Sequence, residues 1–253
     1  MINVDVSDEF LVASLKLFDA VQEEEGSFFI DLHPPHLQLQ WLEINNNYGM
    51  LVEMPFATTM ERRVLQFVGE EVKFIKRLLK FREHGITNCK FIFDLLKPKM
   101  DCKFLVVFKD RNNEIKEKWT EDDCEDLKDP PTFPSALKFI PPPLSAVIFN
   151  VSITQLYSVF HPLLQSALEE NKVKIIMEKN VLKMKTVNDK KRYVIKDSNI
   201  DKKISSRYRI SNLIRFFQCM IKCEEGSNTT FTMKENHPII IHKPNSLFYI
   251  SPL

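Results

Sequence analysis

Glycine is scarce in this sequence, which has only five glycines among 253 residues. None belongs to a G-x-G-x-x-G or G-K-[ST] pattern, the two common loops that cradle phosphate groups. The histidines are scattered and form no H-E-x-x-H, and no serine stands in a G-x-S-x-G. We therefore expect a protein that is not an enzyme, with no cofactor and no metal site.

Two pairs of residues could still carry chemistry. His33 and His36 flank two prolines, but both imidazoles would have to turn the same way across a rigid turn to hold a metal, so we interpret them as a turn pair. Asp31 and Glu43 could form a carboxylate pair for hydrolysis. Because strand residues alternate between faces, we interpret these acids as solvent-facing.

Cysteine and long apolar runs are also scarce. The cysteines are odd in number and include no C-x-x-C, so neither a disulfide framework nor a zinc site is encoded, which suits a reducing compartment. They are Cys89, Cys102, Cys124, Cys219 and Cys223. No run approaches the ~18 apolar residues of a membrane span, and residues 1–10 hold three acids and no base, unlike a signal peptide. We expect a soluble, intracellular protein.

Net charge is nearly absent, because 35 basic residues face 34 acidic ones. Any binding of nucleic acid would therefore depend on how charge is distributed. The basic run 190–192 is a possible nuclear address, but three basic residues beside a predicted strand are more typical of a solvated edge.

Proline is concentrated in one stretch. Six of the fourteen prolines lie within 121–145, where no helix can form, so we predict a connector there between domains at 1–120 and 146–253. Its middle, Leu137–Ile140, is apolar. This segment either lies along the surface, where it presents or covers a groove, or forms a loop tucked under itself.

The two halves repeat one plan of helix, strands, helix, strands, which predicts an α+β fold. Helices are expected from a cap at Asp5 or Ser7 to about Glu24, over 70–83, over 152–170 with an interruption at Pro162, and from a cap at Ser211 to Cys223. Strands are expected at 28–32, 37–43, 48–56, 63–68, 89–96, 102–109 and 113–120 in the first half, and at 146–151, 172–178, 181–187, 190–196, 228–234, 238–243 and 247–250 in the second.

The second helix has the sharpest charge pattern. At 100° per residue its apolar residues fill half of the wheel, and four cations share a separate arc of about 100°. They are Lys73, Lys76, Arg77 and Lys80. A solvated face usually mixes both signs for i, i+4 pairing, and no acid lies in this arc, so an anion-facing helix is the favoured interpretation.

The other three helices differ. The fourth groups Arg215, Gln218 and Lys222 on one side, so its sign is also positive. The first offers Lys16 beside Asp19 and Glu23, and the third presents no cation. Two of the four predicted helix faces are therefore basic.

The duplicated plan, the basic helices and the tail Pro238–Ile241 with Leu247–Pro252 resemble the sliding DNA clamp family, whose best-known member is proliferating cell nuclear antigen. The resemblance covers the whole chain. It implies two similar domains joined by a long connector, and three subunits closed into a ring with helices lining the hole. The implied partners are duplex DNA held without sequence preference, two further clamp subunits, a clamp loader and client proteins, with no membrane.

Within that family, Phe104–Lys109 followed by Asp123-Cys124-Glu125-x-Leu127 most resembles the Rad-nine-type subunit of the heterotrimeric checkpoint clamp. This implies a nuclear platform for DNA damage signalling and repair. The alternatives are a homotrimeric replicative clamp, a DNA-independent interaction protein that uses the Pro-rich connector, and a metal-dependent nuclease.

The resemblance also suggests three groups of site residues. The DNA-binding residues are Lys16, Lys73, Lys76, Arg77, Lys80, Arg215 and Lys222. A client groove is expected between Phe139 and Ile140 on one wall and Tyr249, Ser251 and Pro252 on the other. Subunit pairing is expected at two strand edges, through Ile115, Trp119, Tyr193 and Ile195.

Overall fold

The structure of the chain is a computed structural model that describes residues 2–68, 72–93, 100–128, 146–195, 200–223, 229–243 and 246–253. Its contacts divide the chain into two compact units. One contains Met1–Trp41 and Leu51–Pro131, and the other contains Leu42–Met50 and Thr132–Leu253. Most of the predicted connector, including Phe139 and Ile140, lies outside the described residues.

The first unit contains two helices and two groups of antiparallel strands. Its elements are β1 (Ile2–Asp5), α1 (Asp8–Val21), β2 (Gly26–His33), β3 (His36–Glu43), β4 (Tyr48–Pro55), β5 (Arg63–Phe67), α2 (Lys73–Phe81), β6 (Ile86–Phe93), β7 (Met100–Lys109) and β8 (Ile115–Asp126). The end of β3 and the start of β4, which fall within Leu42–Met50, are grouped by their contacts with the second unit. The strand order is β1-β6-β7-β8-β5-β2-β3-β4. Pairing of β8 with β5, at Leu65 opposite Asp126, joins the two groups into one sheet.

The second unit repeats the same succession. Its elements are β9 (Val147–Val151), α3 (Ile153–Ser166), β10 (Lys172–Glu178), β11 (Val181–Lys185), β12 (Lys190–Val194), β13 (Ile204–Arg209), α4 (Ile210–Cys223), β14 (Thr229–Met233), β15 (Ile239–Lys243) and β16 (Ser246–Ile250). Strands β9-β14-β15-β16 form one group and β13-β10-β11-β12 the other. A backbone hydrogen bond connects the two groups: the N–H of Leu253, which follows β16, donates to the carbonyl of Arg207 in β13 at 2.8 Å.

The α+β duplication is therefore confirmed, with one strand more than predicted in each half, β1 in the first and β13 in the second. Strand β1 precedes α1 just as β9 precedes α3, so both units begin with a strand. Ser7 caps α1, since its Oγ accepts from Phe10 N–H at 3.2 Å, and Ser152 caps α3 in the same way. Both helices follow their first strand after a short capped turn.

A cluster of aromatic rings forms the core between α1, α2 and the strands of the first unit. Phe74 of α2 is fully buried and stacks on Phe104 of β7 with a centroid distance of 3.9 Å. The rings of Phe91 in β6 and Phe18 in α1 pack edge-on against the Phe74 ring. Fully burying one such side chain contributes roughly 1.5–3 kcal/mol, so α2 is anchored by its apolar face.

Several boundaries and side-chain placements differ from the sequence prediction. Strand β8 continues to Asp126, so 121–126, which we expected in the connector, are strand. Helix α3 runs through Pro162 without interruption. Helix α4 begins at Ile210, directly after β13, so Ser211 lies inside its first turn and does not cap it.

Asp31 and Glu43 are buried, contrary to the solvent-facing prediction. Asp31 accepts two hydrogen bonds from Arg62, at 3.1 and 2.6 Å, and the Glu43 carboxylate accepts from the backbone N–H groups of Asn45 and Asn47. Alternation assigned both acids to the solvent side of their strands, but Arg62 covers Asp31 and the turn at Asn45–Asn47 covers Glu43.

Candidate nucleic-acid interface

Helix α2 presents a cationic surface formed by the side chains that its apolar face leaves outside. Lys73, Lys76 and Lys80 are exposed, and Phe74, Ile75 and Leu78 are buried. No acidic residue lies in the first turn of the helix. The lysine spacing of three and four residues places these ammonium groups on one side, as a surface that holds phosphates requires.

Arg77 is engaged with its own unit. Its Nη1 donates to the backbone carbonyl of Trp119 in β8 at 2.7 Å, and its side chain is half-buried. Part of its hydrogen-bonding capacity is therefore used to hold α2 against β8. The three lysines are the better candidates for phosphate contacts.

An acid far away in sequence holds the N-terminus of α2. Val72, at the N-cap position, provides no side-chain hydrogen bond, and Asp122 of β8 instead accepts from Lys73 N–H at 2.7 Å and Phe74 N–H at 2.8 Å. Burial raises the pKa of Asp122, and the two backbone hydrogen bonds and Lys73 oppose that rise. A carboxylate at this end also complements the helix dipole.

Sequence reasoning missed this cap because Asp122 was assigned to the connector. No periodic apolar pattern in the sequence reveals it, because Glu121, Asp122 and Asp123 stand in a row. In the structure the residues at 120, 122 and 124 are buried, as in a half-buried strand. The cap fixes the direction in which the cations of α2 project.

Helix α1 packs beside α2 and contributes one further cation, Lys16, which is half-buried. Asp19, which lies three residues after Lys16 on α1, forms an ion pair with Arg82 at 2.7 Å. The ion pair links α1 to the residue that follows α2. The acidic character that the sequence assigned to this helix face is thus partly neutralised.

The helices of the second unit carry less charge. On α4, Arg215, Gln218 and Lys222 are exposed as predicted, and Ile221 beside them is half-buried. On α3, the exposed residues include Thr154, Gln155 and Ser158, all uncharged. The second unit therefore offers two cations of the predicted set, against five in the first.

The predicted pairing edges are open within the described part of the chain. The Ile115–Glu121 part of β8 pairs with β7 on one side, and β5 reaches only Cys124–Asp126 on the other. Strand β12 pairs with β11 alone. Ile115 and Trp119 are exposed, and neither edge is paired with a further described strand, although Arg77 occupies the Trp119 carbonyl.

Two of the side chains predicted at the pairing edges already pack or form a hydrogen bond within the second unit. Ile195 is 3% exposed and follows β12. Tyr193 donates a hydrogen bond to Gln155 of α3 at 3.0 Å. The exposed apolar side chain at this edge is Val194, at 65% exposure, which sequence reasoning did not select.

Tyr249 does not form a groove wall, because it is 1% exposed and its hydroxyl donates to Asn46 O at 3.4 Å. Ser251 and Pro252 are half-buried, and Ser251 N–H donates to Asn47 O. Of the predicted groove residues that the structure describes, only Ser251 and Pro252 are accessible enough to line a groove.

The described residues include no group of three or more His, Cys, Asp or Glu placed to hold a metal ion. No helix among them is long and apolar enough to cross a membrane.

The duplicated arrangement of strands and helices matches a sliding-clamp fold. A solved structure with this likeness is the DNA polymerase III subunit beta from Pseudomonas aeruginosa, at a TM-score of 0.64 and 10% sequence identity. The match covers 100% of this chain and 66% of that chain, slightly less than two thirds. No family model and no curated protein matches the sequence.

Proposed function

We propose that this chain is a subunit of a ring-shaped sliding clamp that encircles duplex DNA. The observation that carries this proposal is the exposed lysine face of α2 on a clamp fold. A sliding protein cannot read bases, so it needs cations that hold phosphates loosely and exchange them. Flexible lysines suit this role, because an ammonium group is a point charge without the fixed fork of arginine.

Ring closure is proposed through the open edges of β8 and β12. The Ile115–Glu121 part of β8 and the whole of β12 lack a described strand on one side, and Trp119 and Val194 add apolar area there. Pairing of one subunit's β8 with the next subunit's β12 would satisfy both edges in a closed, head-to-tail arrangement. Clamp loader and client proteins are the further partners of such a ring.

The finer assignment is a nuclear, heterotrimeric clamp of the DNA-damage checkpoint, serving as a platform for signalling and repair. The segments that support it are Phe104–Lys109 and Asp123–Leu127. Native mass spectrometry of the assembly purified from its own cells distinguishes it from a replicative homotrimer. Three different subunit masses would support the checkpoint clamp, and one repeated mass would contradict it.

The DNA proposal is tested by replacing the three lysines of α2 with alanine, Lys73→Ala, Lys76→Ala and Lys80→Ala, in the assembled ring. Arg77 is left intact because it holds α2 to β8. Retention on closed circular DNA should fall, and the slope of log K against log salt should decrease in magnitude by about 2.7 if each lysine of one subunit neutralises one phosphate.

The matched control replaces the same three lysines with arginine, which preserves charge, and it should retain DNA as the wild type does. The proposal fails if the alanine variant forms a normal ring that shows unchanged retention and an unchanged salt slope. Equal weakening on two unrelated duplex sequences would confirm that the contacts are to the backbone.

A further inference from the structure

The second unit carries a basic surface on the sheet β13-β10-β11-β12. Along β10 the residues Val173, Ile175 and Met177 are buried, and the alternate residues face the other way. Helix α3 covers the buried side, as the hydrogen bond from Tyr193 to Gln155 shows. The outward side, here called the basic sheet face, bears nine cations. They are Lys172, Lys174, Lys183, Lys185, Lys190, Arg192, Lys203, Arg207 and Arg209.

Strand register places cations directly opposite one another. Lys174 of β10 lies opposite Lys185 of β11 on one side and Arg207 of β13 on the other. Lys185 in turn lies opposite Lys190 of β12. With strands about 4.8 Å apart, this row of four cations spans roughly 14 Å. Like charges in directly opposite positions destabilise a sheet, so this row favours the binding of an anion.

Acidic residues do little to neutralise the basic sheet face. Glu178 is the one acid on the described outward side of the strands, and it accepts from Lys183 at 2.6 Å with Lys203 at 3.6 Å. The hydrogen bond and charge of Lys183, followed by the charge of Lys203, lower the pKa of Glu178. Asp189 and Asp201 lie outside the strands. In the described part of the chain, Lys174, Lys185 and Arg207 take part in no ion pair.

We propose that the basic sheet face binds the phosphate backbone of a duplex DNA segment, separately from the helix cations. A duplex carries one negative charge per about 1.7 Å of its axis with both strands counted, so the roughly 14 Å cation row can lie against several phosphates at once. Among the described residues of the four strands, none places an aromatic ring on the outward side, because Tyr193 and Tyr208 lie on the buried side, so the face lacks the stacking platform of a single-strand binder.

An acidic protein is a weaker fit to the same surface. Protein interfaces depend on buried anchors such as Trp and Tyr in pockets, and the apolar residues of this face are only Ile176, Val181 and Val194. Interfaces with DNA are much more positively charged, as this face is. The inference does not require that the chain encircle DNA.

The test uses a 30-base-pair duplex blocked at both ends with streptavidin, which cannot thread through a closed ring. The variant is Lys174→Gln, Lys185→Gln and Arg207→Gln, in the assembled protein, and binding is measured by fluorescence anisotropy over a salt series. We expect weaker binding and a salt slope reduced in magnitude by about 2.7. A charge-conserving control, Lys174→Arg, Lys185→Arg and Arg207→Lys, should bind as the wild type does.

The proposal is overturned if the glutamine variant, folded by its thermal transition, binds the blocked duplex with unchanged affinity and slope. It is also overturned if polyglutamate binds the wild type more tightly than the blocked duplex does, because the face would then suit an acidic protein. Retention on circular DNA reports encirclement through α2 and should not change in this variant, so failure of either proposal can be told from failure of the other.

Discussion

The sheet β5-β2-β3-β4 of the first unit and the corresponding sheet β13-β10-β11-β12 of the second differ in where their polar side chains lie. In the first unit, β5-β2-β3-β4 carries a buried chain of hydrogen bonds in which Arg62 donates to Asp31, Gln40 to Asp31 and Gln38, and Gln38 to Glu53. In the second, β13-β10-β11-β12 leaves rows of cations facing solvent. One sheet satisfies its polar groups internally, and the other leaves its charge exposed.

This difference shows which property the duplication preserves. The order of strands and helices is the same in both units, because the alternation of buried apolar residues sets it. Residues on the opposite side of the sheet are not held by that core and are free to diverge. Surface charge in this chain is therefore evidence about partners, while the shared topology is evidence about the fold.

The largest effect is expected from breaking the ion pair between Asp31 and Arg62 in the first unit. Arg62→Ala leaves the Asp31 carboxylate, which is 1% exposed, with Gln40 as its remaining partner, while water can reach the position that the half-exposed Arg62 side chain vacates. Loss of a charged hydrogen-bond partner from a buried acceptor costs about 1–3 kcal/mol. Hydrogen exchange of the β2 amides should show this loss of stability.

The matched variant in the second unit is Lys183→Ala, which removes a solvated partner of Glu178 and should leave the protection of the β10 amides almost unchanged. Equal losses in the two units would contradict the contrast between a buried network and an exposed one.

A smaller effect is expected at the cap of α2. Asp122→Ala removes the acceptor of two backbone N–H groups and should destabilise the helix by about 1–2 kcal/mol, with weaker DNA binding as the lysines lose their fixed direction. Asp122→Asn keeps a side-chain acceptor and should lose less. Helix α4 provides the comparison, since it continues directly from β13 and should be unaffected. Unchanged amide exchange at 73–77 would show that α2 does not need this cap.

The smallest effect has the opposite sign. Lys174→Gln removes the central cation of the row and should stabilise the second unit by about 0.5 kcal/mol at low salt, because like charges no longer face each other. The gain should shrink as salt screens the row, and Lys174→Arg should show none. Urea unfolding at two salt concentrations measures it, and a loss of stability at low salt would contradict the prediction.

The sequence was sufficient wherever the relevant residues are neighbours along the chain. The cationic arc of α2 follows from a spacing of three and four residues, and the structure gives the three lysines the exposure that this spacing predicts. The Ser7 cap of α1 and the α+β duplication also follow from local patterns. The roles of these cations in binding DNA stay predictions.

Contacts between distant residues were decided by the tertiary structure. Asp122 caps a helix about fifty residues earlier in the chain, and Asp31 is buried by Arg62. The alternating cations at 172–174, 183–185, 190–192 and 207–209 are visible in the sequence, which indicates only that each segment has a basic side. They become one surface because β10 pairs with β13, and strand pairing depends on packing of the whole unit.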